Sequence, residues 1–298
     1  MIRIIDTYPQ INLLFENETF NLKKWEEYIN TVYPNSAEIF KKDLEEYLNS
    51  GEYIYEKDIL PILNAVNRHL KMDILHKSFC KVIDGLNERI IEHFGKELDI
   101  DIVLYVGLCN GAGWVTTING RTVILLGMEK ILELNWYDEN SMYGLIYHEL
   151  GHVYHKQYGM FTQWCDDGKK NFVWQLFVEG IAMYFEQVLV KDFDYFHQDN
   201  NGWKAWCDSH FQQILAEFNA DLPTMTRFNQ RYFGDWVNYG GYADVGYYLG
   251  TRFVQDLCNK FSLEQLVKMT IDAVYNAYLE FVKKHHLEYP LLLPLFRL

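Results

Sequence analysis

The chain has 298 residues, 49% of them hydrophobic and 16% aromatic, with only six Pro, a globular composition that suits one large domain or two small ones. Its 27 basic and 41 acidic residues give a formal net charge of −14, which speaks against nucleic acid as a partner, because phosphate backbones are met by clustered Lys and Arg. No secretory signal, no apolar run of about 18 residues and no Cys-x-x-Cys pair stands out, so the expectations are a cytoplasmic location, no membrane span, and reduced core thiols at Cys80, Cys109, Cys165, Cys207 and Cys258.

In chain order, residues 2 to 6 read as a short strand and Phe20 to about Gly95 as several helices. Asn21 and Ser36 are the expected N-caps, and Gly51 and Pro61 punctuate the region. Between Ile59 and Phe94 apolar residues recur at helical spacing, the pattern of a packed core. His69, His76 and His93 show no partner at metal-ligand spacing and read as structural.

From Asp99 the period drops to about 2. Ile100, Ile102, Leu104 and Val106 alternate with Asp99, Asp101, Val103 and Tyr105, which predicts a half-buried strand. Gly107 to Gly113 lacks the Gly-Lys-Ser/Thr ending of a phosphate loop and reads as a flexible connection. Asn119-Gly120, between Trp114–Ile118 and Thr122–Leu126, is a strong hairpin signal.

The next helix carries His148, Glu149 and His152 in the pattern His-Glu-x-x-His. Residues four apart share a helix face, so two imidazoles there can converge on one ion. Zn²⁺ in a hydrolytic site takes three protein ligands and leaves a position for water. Glu149 is placed to take a proton from that water, the general-base role of metal-assisted hydrolysis. A second long helix, about Asn171 to Val190, sets Glu179 in an apolar stretch. A carboxylate there must be paired, protonated or bound to metal, which makes Glu179 the expected third ligand, with Glu186 in reserve and His155 a weaker rival.

His148-Glu149-x-x-His152 followed by a helix bearing Phe-Val-Glu179-Gly-Ile-Ala resembles the gluzincin branch of the zincin metallopeptidases, nearest its aminopeptidase-like and uncharacterised bacterial members. The resemblance covers roughly residues 99 to 260. It implies a small sheet over the metal helix, a Glu ligand from the next long helix, and a peptide substrate paired along the sheet edge. It also implies an oxyanion donor at Tyr247, three residues before Gly250, with Tyr248 the alternative. In the same group a Gly-x-Met-Glu-Asn segment holds the substrate's amino end, and Gly127-Met128-Glu129 matches it in part. Met183 stands where several gluzincins place an acid that orients a ligating His. His197 and His210 are candidate proton donors that nothing in the spacing selects.

Beyond these, Asn201–Phe218 reads as an aromatic helix, Ser262–Gln265 as a capping box, and Asp272–His286 as a final helix before a Pro-containing tail. The expected architecture is α+β and mainly helical. It comprises an N-terminal helical region (1–98) and a zincin-like metallohydrolase body (99–298), whose sheet and metal helix span 99–157 and whose helical subdomain spans 158–298. The expected activity is zinc-dependent hydrolysis of a peptide or protein substrate. The rival expectations are a binding or scaffold protein of the same fold with structural or absent metal, and a zinc hydrolase of a non-peptide amide or ester.

Overall fold

A computed structural model describes residues 1–51, 53–234 and 236–288, so the Pro-containing tail lies outside the described residues. By its contacts the chain divides into two units, residues 1–153 and 154–298.

In the first unit, strand β1 (Ile2–Asp6) leads through a 3₁₀ turn, Tyr8–Leu14, to the two-residue strands β2 (Phe15–Glu16) and β3 (Thr19–Phe20). Five helices follow: α1 (Leu22–Val32), α2 (Ala37–Ser50), α3 (Leu60–Val66), α4 (Met72–Ile83) and α5 (Leu86–Phe94). Asn21 caps α1 as expected, its side chain accepting from the backbone N–H groups of Lys23 and Lys24 at 3.0 and 3.1 Å. Ser36 holds the cap position of α2, but its hydroxyl donates to the Tyr33 carbonyl instead.

Strands β4 (Ile100–Tyr105), β5 (Gly113–Ile118) and β6 (Arg121–Gly127) join β1 in a mixed sheet of order β1-β4-β6-β5. β1, β4 and β6 are parallel, with Ile4 opposite Ile102 and Ile102 opposite Ile124, and β5 returns antiparallel as an edge. Asn119 and Gly120 both have positive φ, 51° and 79°, the backbone that a tight two-residue hairpin turn demands.

All six residues of β4 are buried, so the expected half-buried strand is a central one, covered on both faces as parallel strands are. The alternation misled because Asp101 looks solvent-facing. Its side chain is fully buried, paired with Arg3 and Arg121 and accepting from the Tyr33 hydroxyl at 2.8 Å. The N-terminal helices support this sheet. Trp25 of α1 donates from Nε1 to the Val106 carbonyl at 2.8 Å, and Phe40 of α2 packs on Tyr105 and Trp114 with ring centroids 5.4 and 6.0 Å apart. Helices α6 (Met128–Glu133) and α7 (Glu139–Tyr158) follow the sheet.

The second unit is helical: α8 (Gly168–Val190), α9 (Trp203–Asp221), α10 (Val245–Cys258), α11 (Leu263–Leu266) and α12 (Ile271–Glu288). The expected capping box of α11 is present, with Ser262 and Gln265 bonded reciprocally. Among the described residues one helix, α8, is long and apolar enough to cross a membrane by length and composition, and 72% of its apolar window is buried. The core of this unit uses that helix. Helices α8 and α10 touch backbone to backbone: a Cβ at Gly180 would lie 2.2 Å from the Gly250 carbonyl oxygen, and one at Gly250 would lie 2.4 Å from that of Leu176. The fold is thus α+β and mainly helical, with a small mixed sheet.

Two consequences are measurable. Gly250→Ala forces these helices apart and costs roughly 1–3 kcal/mol, read as a lower midpoint in chemical denaturation. Burial pushes the Asp101 carboxyl up, but hydrogen bonds from Arg3, Arg121 and Tyr33 outweigh it and hold the group below its ordinary value. Its stabilising contribution is therefore complete above about pH 5 and is lost as pH falls through the depressed folded value. The stability gap between the parent and Asp101→Asn, followed by urea melts at stepped pH, should be constant above about pH 5 and shrink below it.

Candidate metal centre

Helix α7 opens after Asp138, which accepts from the Ser141 backbone N–H at 3.1 Å and from its hydroxyl at 2.7 Å. Leu145, Ile146, Leu150 and Val153 are buried along it, and this apolar packing anchors the helix while His148 and His152 sit one turn apart on it. Their Nε2 atoms lie 3.1 Å from each other, with the rings nearly perpendicular at 88°. Two imidazole nitrogens on a tetrahedral zinc, each at about 2.0–2.1 Å, stand about 3.3 Å apart. The pair as folded therefore fits that ion with almost no adjustment.

Glu149 is buried, only 6% exposed, and lies against the start of edge strand β5. A Cβ at Gly113 would stand 3.1 Å from the Glu149 Cγ and Oε1 atoms and 2.8 Å from Leu145 Cδ1. Only glycine lets the strand come this close to the helix carrying the expected base.

His155, the rival ligand, is enclosed by the rings of Phe161, Trp174 and Phe177, with centroids 5.5–5.9 Å away. That is the environment of a packed side chain. Glu179 is half-buried on α8. The fully buried carboxylate of that helix is Glu186, which the His197 Nδ1 meets at 2.9 Å. Burial drives the His197 pKa down to about 3, which keeps the imidazole neutral beside the Glu186 carboxyl. This pair escaped the sequence because residues 186 and 197 sit on different elements with no shared period.

Tyr247 is half-buried on α10, its ring centroid 6.1 Å from that of Phe233. The alternative, Tyr248, is buried and committed: its hydroxyl donates to Asp208 at 2.7 Å and accepts from Arg252 Nε at 3.2 Å. His210 stacks on Trp206 at 4.2 Å and its Nδ1 lies 2.8 Å from the Trp206 carbonyl oxygen. Gly250, whose spacing drew attention to Tyr247, has its own reason to be glycine in the contact with α8.

Glu129 is 1% exposed and accepts from the backbone N–H groups of Gly107 and Cys109 at 2.8 and 3.1 Å. It anchors the 107–113 connection, which Asn110 ties to the Phe40 carbonyl at 3.0 Å. The expected flexible loop is thus a fastened one, and the carboxylate that would hold a substrate's amino end is occupied by the chain itself. Of the thiols only Cys207 is a core residue; Cys109, Cys165 and Cys258 are half-buried and Cys80 is exposed. Cys80 also corrects the reading of His76 as partnerless, because its Sγ lies 3.6 Å from His76 Nε2.

Comparisons with protein-family models, curated proteins and solved structures find no significant match to this chain.

Burial raises the Glu129 carboxyl to about 7 against the hydrogen bonds that lower it. Its folded value lies above the unfolded one, so the stability it contributes is complete below about pH 4.5 and is lost as pH rises through 7. The parent should lose on the order of 3 kcal/mol relative to Glu129→Gln across that window, measured as paired denaturation curves from pH 4 to 8.

Proposed function

We propose that the chain is a zinc-dependent metallopeptidase of the zincin type. The observation that carries the reading is the His148/His152 pair on α7, with Nε2 atoms 3.1 Å apart, beside a buried Glu149 under Gly113, the first residue of edge strand β5. Glu179 is the proposed third ligand, its carboxylate completing with the two imidazoles a donor set of the kind zinc takes.

When bound, zinc supplies polarisation of the attacking water and of the scissile carbonyl. The chain's residues do the rest. Glu149 takes the proton from water and returns it to the leaving amine, which needs a carboxylate whose reach is fixed by packing. Its side chain is held between α7 and Gly113, so little entropy remains to be lost at the moment of transfer. Among the described residues strand β5 pairs with β6 alone, and an extended peptide adding to its outer edge by backbone hydrogen bonds passes Gly113, which lies against Glu149. Tyr247 is the proposed hydrogen-bond donor to the developing oxyanion.

Elemental analysis of chelator-washed, zinc-repleted protein tests the centre: a His148→Ala/His152→Ala double variant should bind one zinc per chain fewer than the parent. Glu149→Gln should keep that zinc and lower peptide-library cleavage by about 10²–10⁴-fold. Equal zinc in parent and double variant would sink the metal assignment. Cleavage by Glu149→Gln at the parent rate would sink the base.

A further inference from the structure

A second set of ligand-type side chains lies in the first unit, on elements the proposed chemistry does not use. His76 and Cys80 are one turn apart on α4, the same i, i+4 relation that joins His148 to His152. Asp6 closes strand β1. One nitrogen, His76 Nε2, faces both partners, 2.6 Å from Asp6 Oδ2 and 3.6 Å from Cys80 Sγ. The three ligand atoms all lie within 4.8 Å of one another. We propose that Asp6, His76 and Cys80 form a second metal site, selective for a borderline-soft divalent cation of the zinc class.

The distances suit an ion after one small adjustment. On a tetrahedral zinc, nitrogen at about 2.0–2.1 Å and thiolate sulfur at about 2.3 Å stand about 3.6 Å apart, the separation His76 and Cys80 already have. The Asp6–His76 distance must open by about 0.7 Å, a side-chain rotation at a carboxylate only 30% exposed beside an imidazole 24% exposed. Binding takes the Nε2 lone pair of a neutral His76 and displaces the Cys80 thiol proton, and the exposed Cys80 gives the ion its way in.

The surroundings hold these ligands in place, as the outer partners of metal ligands do. Tyr8 stacks on the His76 ring at 3.9 Å with 5° between planes, and its hydroxyl is fastened to Asp73 at 2.6 Å. The Tyr8 backbone N–H occupies Asp6 Oδ1 at 3.0 Å, which leaves Oδ2 turned to the imidazole. An Asp-His-Cys set selects zinc and cobalt over calcium and magnesium, whose ligands are all oxygen. With three protein ligands the fourth position goes to water. The ion would pin the end of β1 to α4.

Cobalt titration of the full chain separates this site from the one on α7, because only a thiolate ligand produces sulfur-to-cobalt charge-transfer absorption. The parent and the His148→Ala/His152→Ala variant should both develop that absorption. Cys80→Ser, a change at an exposed position, should abolish it, and Asp6→Asn should weaken cobalt binding at least about tenfold. In the zinc measurement the α7 double variant should retain one ion per chain, and that ion should disappear when Cys80→Ser is added. No charge-transfer band in the parent at saturating cobalt, or an undiminished band in Cys80→Ser, overturns the site whatever becomes of the peptidase reading.

Discussion

A gap too narrow for a methyl group separates Gly113 from Leu145 and Glu149, and the arrangement of the first unit depends on it. Helix and sheet normally keep a side chain's width between them. Here the edge strand starts almost on the helix. The approach requires that β5 arrive at a defined height, and two features supply it. The Asn119-Gly120 turn fixes the pairing of Ile118 with Arg121 and so the register of the whole hairpin. At the other end Glu129 and Asn110 hold the 107–113 connection down by its backbone and against α2. A buried carboxylate on two amide donors is a costly fastening, which makes sense where a wandering loop would carry the strand off the helix.

The second unit meets a similar demand with different means. Gly180 and Gly250 let α8 and α10 meet at their backbones, and Glu186 with His197 puts a hydrogen-bonded polar pair into the same apolar surroundings. A backbone contact has no rotamers to relax into. A buried polar pair specifies one arrangement because every other leaves a charge unsatisfied. Glu179, next to Gly180 in sequence, is therefore carried on a segment of helix with little freedom.

What could be read from the chain was what is local. The hairpin turn, the Asn21 cap, the Ser262 capping box and the His-Glu-x-x-His spacing each lie within a few residues, and each is where the sequence places it. What could not be read came from pairings across long separations. Asp101 alternates like a surface residue, and only the arrival of β1 beside β4, with Arg3, turns it into a buried ion pair. His76 has Cys80 four residues on, but its other partner, Asp6, lies seventy residues back and meets it only in the fold. Gly250 invited a catalytic reading of its neighbour Tyr247, while the helix that explains the glycine is α8, far upstream in the chain. Glu186 rather than Glu179 proved to be the fully buried carboxylate, a distinction that an apolar stretch on both sides could not make.

The parallel pairing of β1 with β4 also sets a timetable. Arg3 and Asp101 are 98 residues apart, so at roughly 5–20 residues per second β1 leaves the ribosome about 5–20 s before its partner exists. For that interval it is a lone strand whose apolar residues invite pairing with any neighbouring chain. Arg3 near its start and Asp6 at its end put a charge of each sign on that strand, and charges on an unpaired strand discourage such encounters. Once β4 and β6 have been made, Arg3 finds Asp101 and Asp6 finds His76. The same two residues that guard the strand during synthesis become its fastenings afterwards.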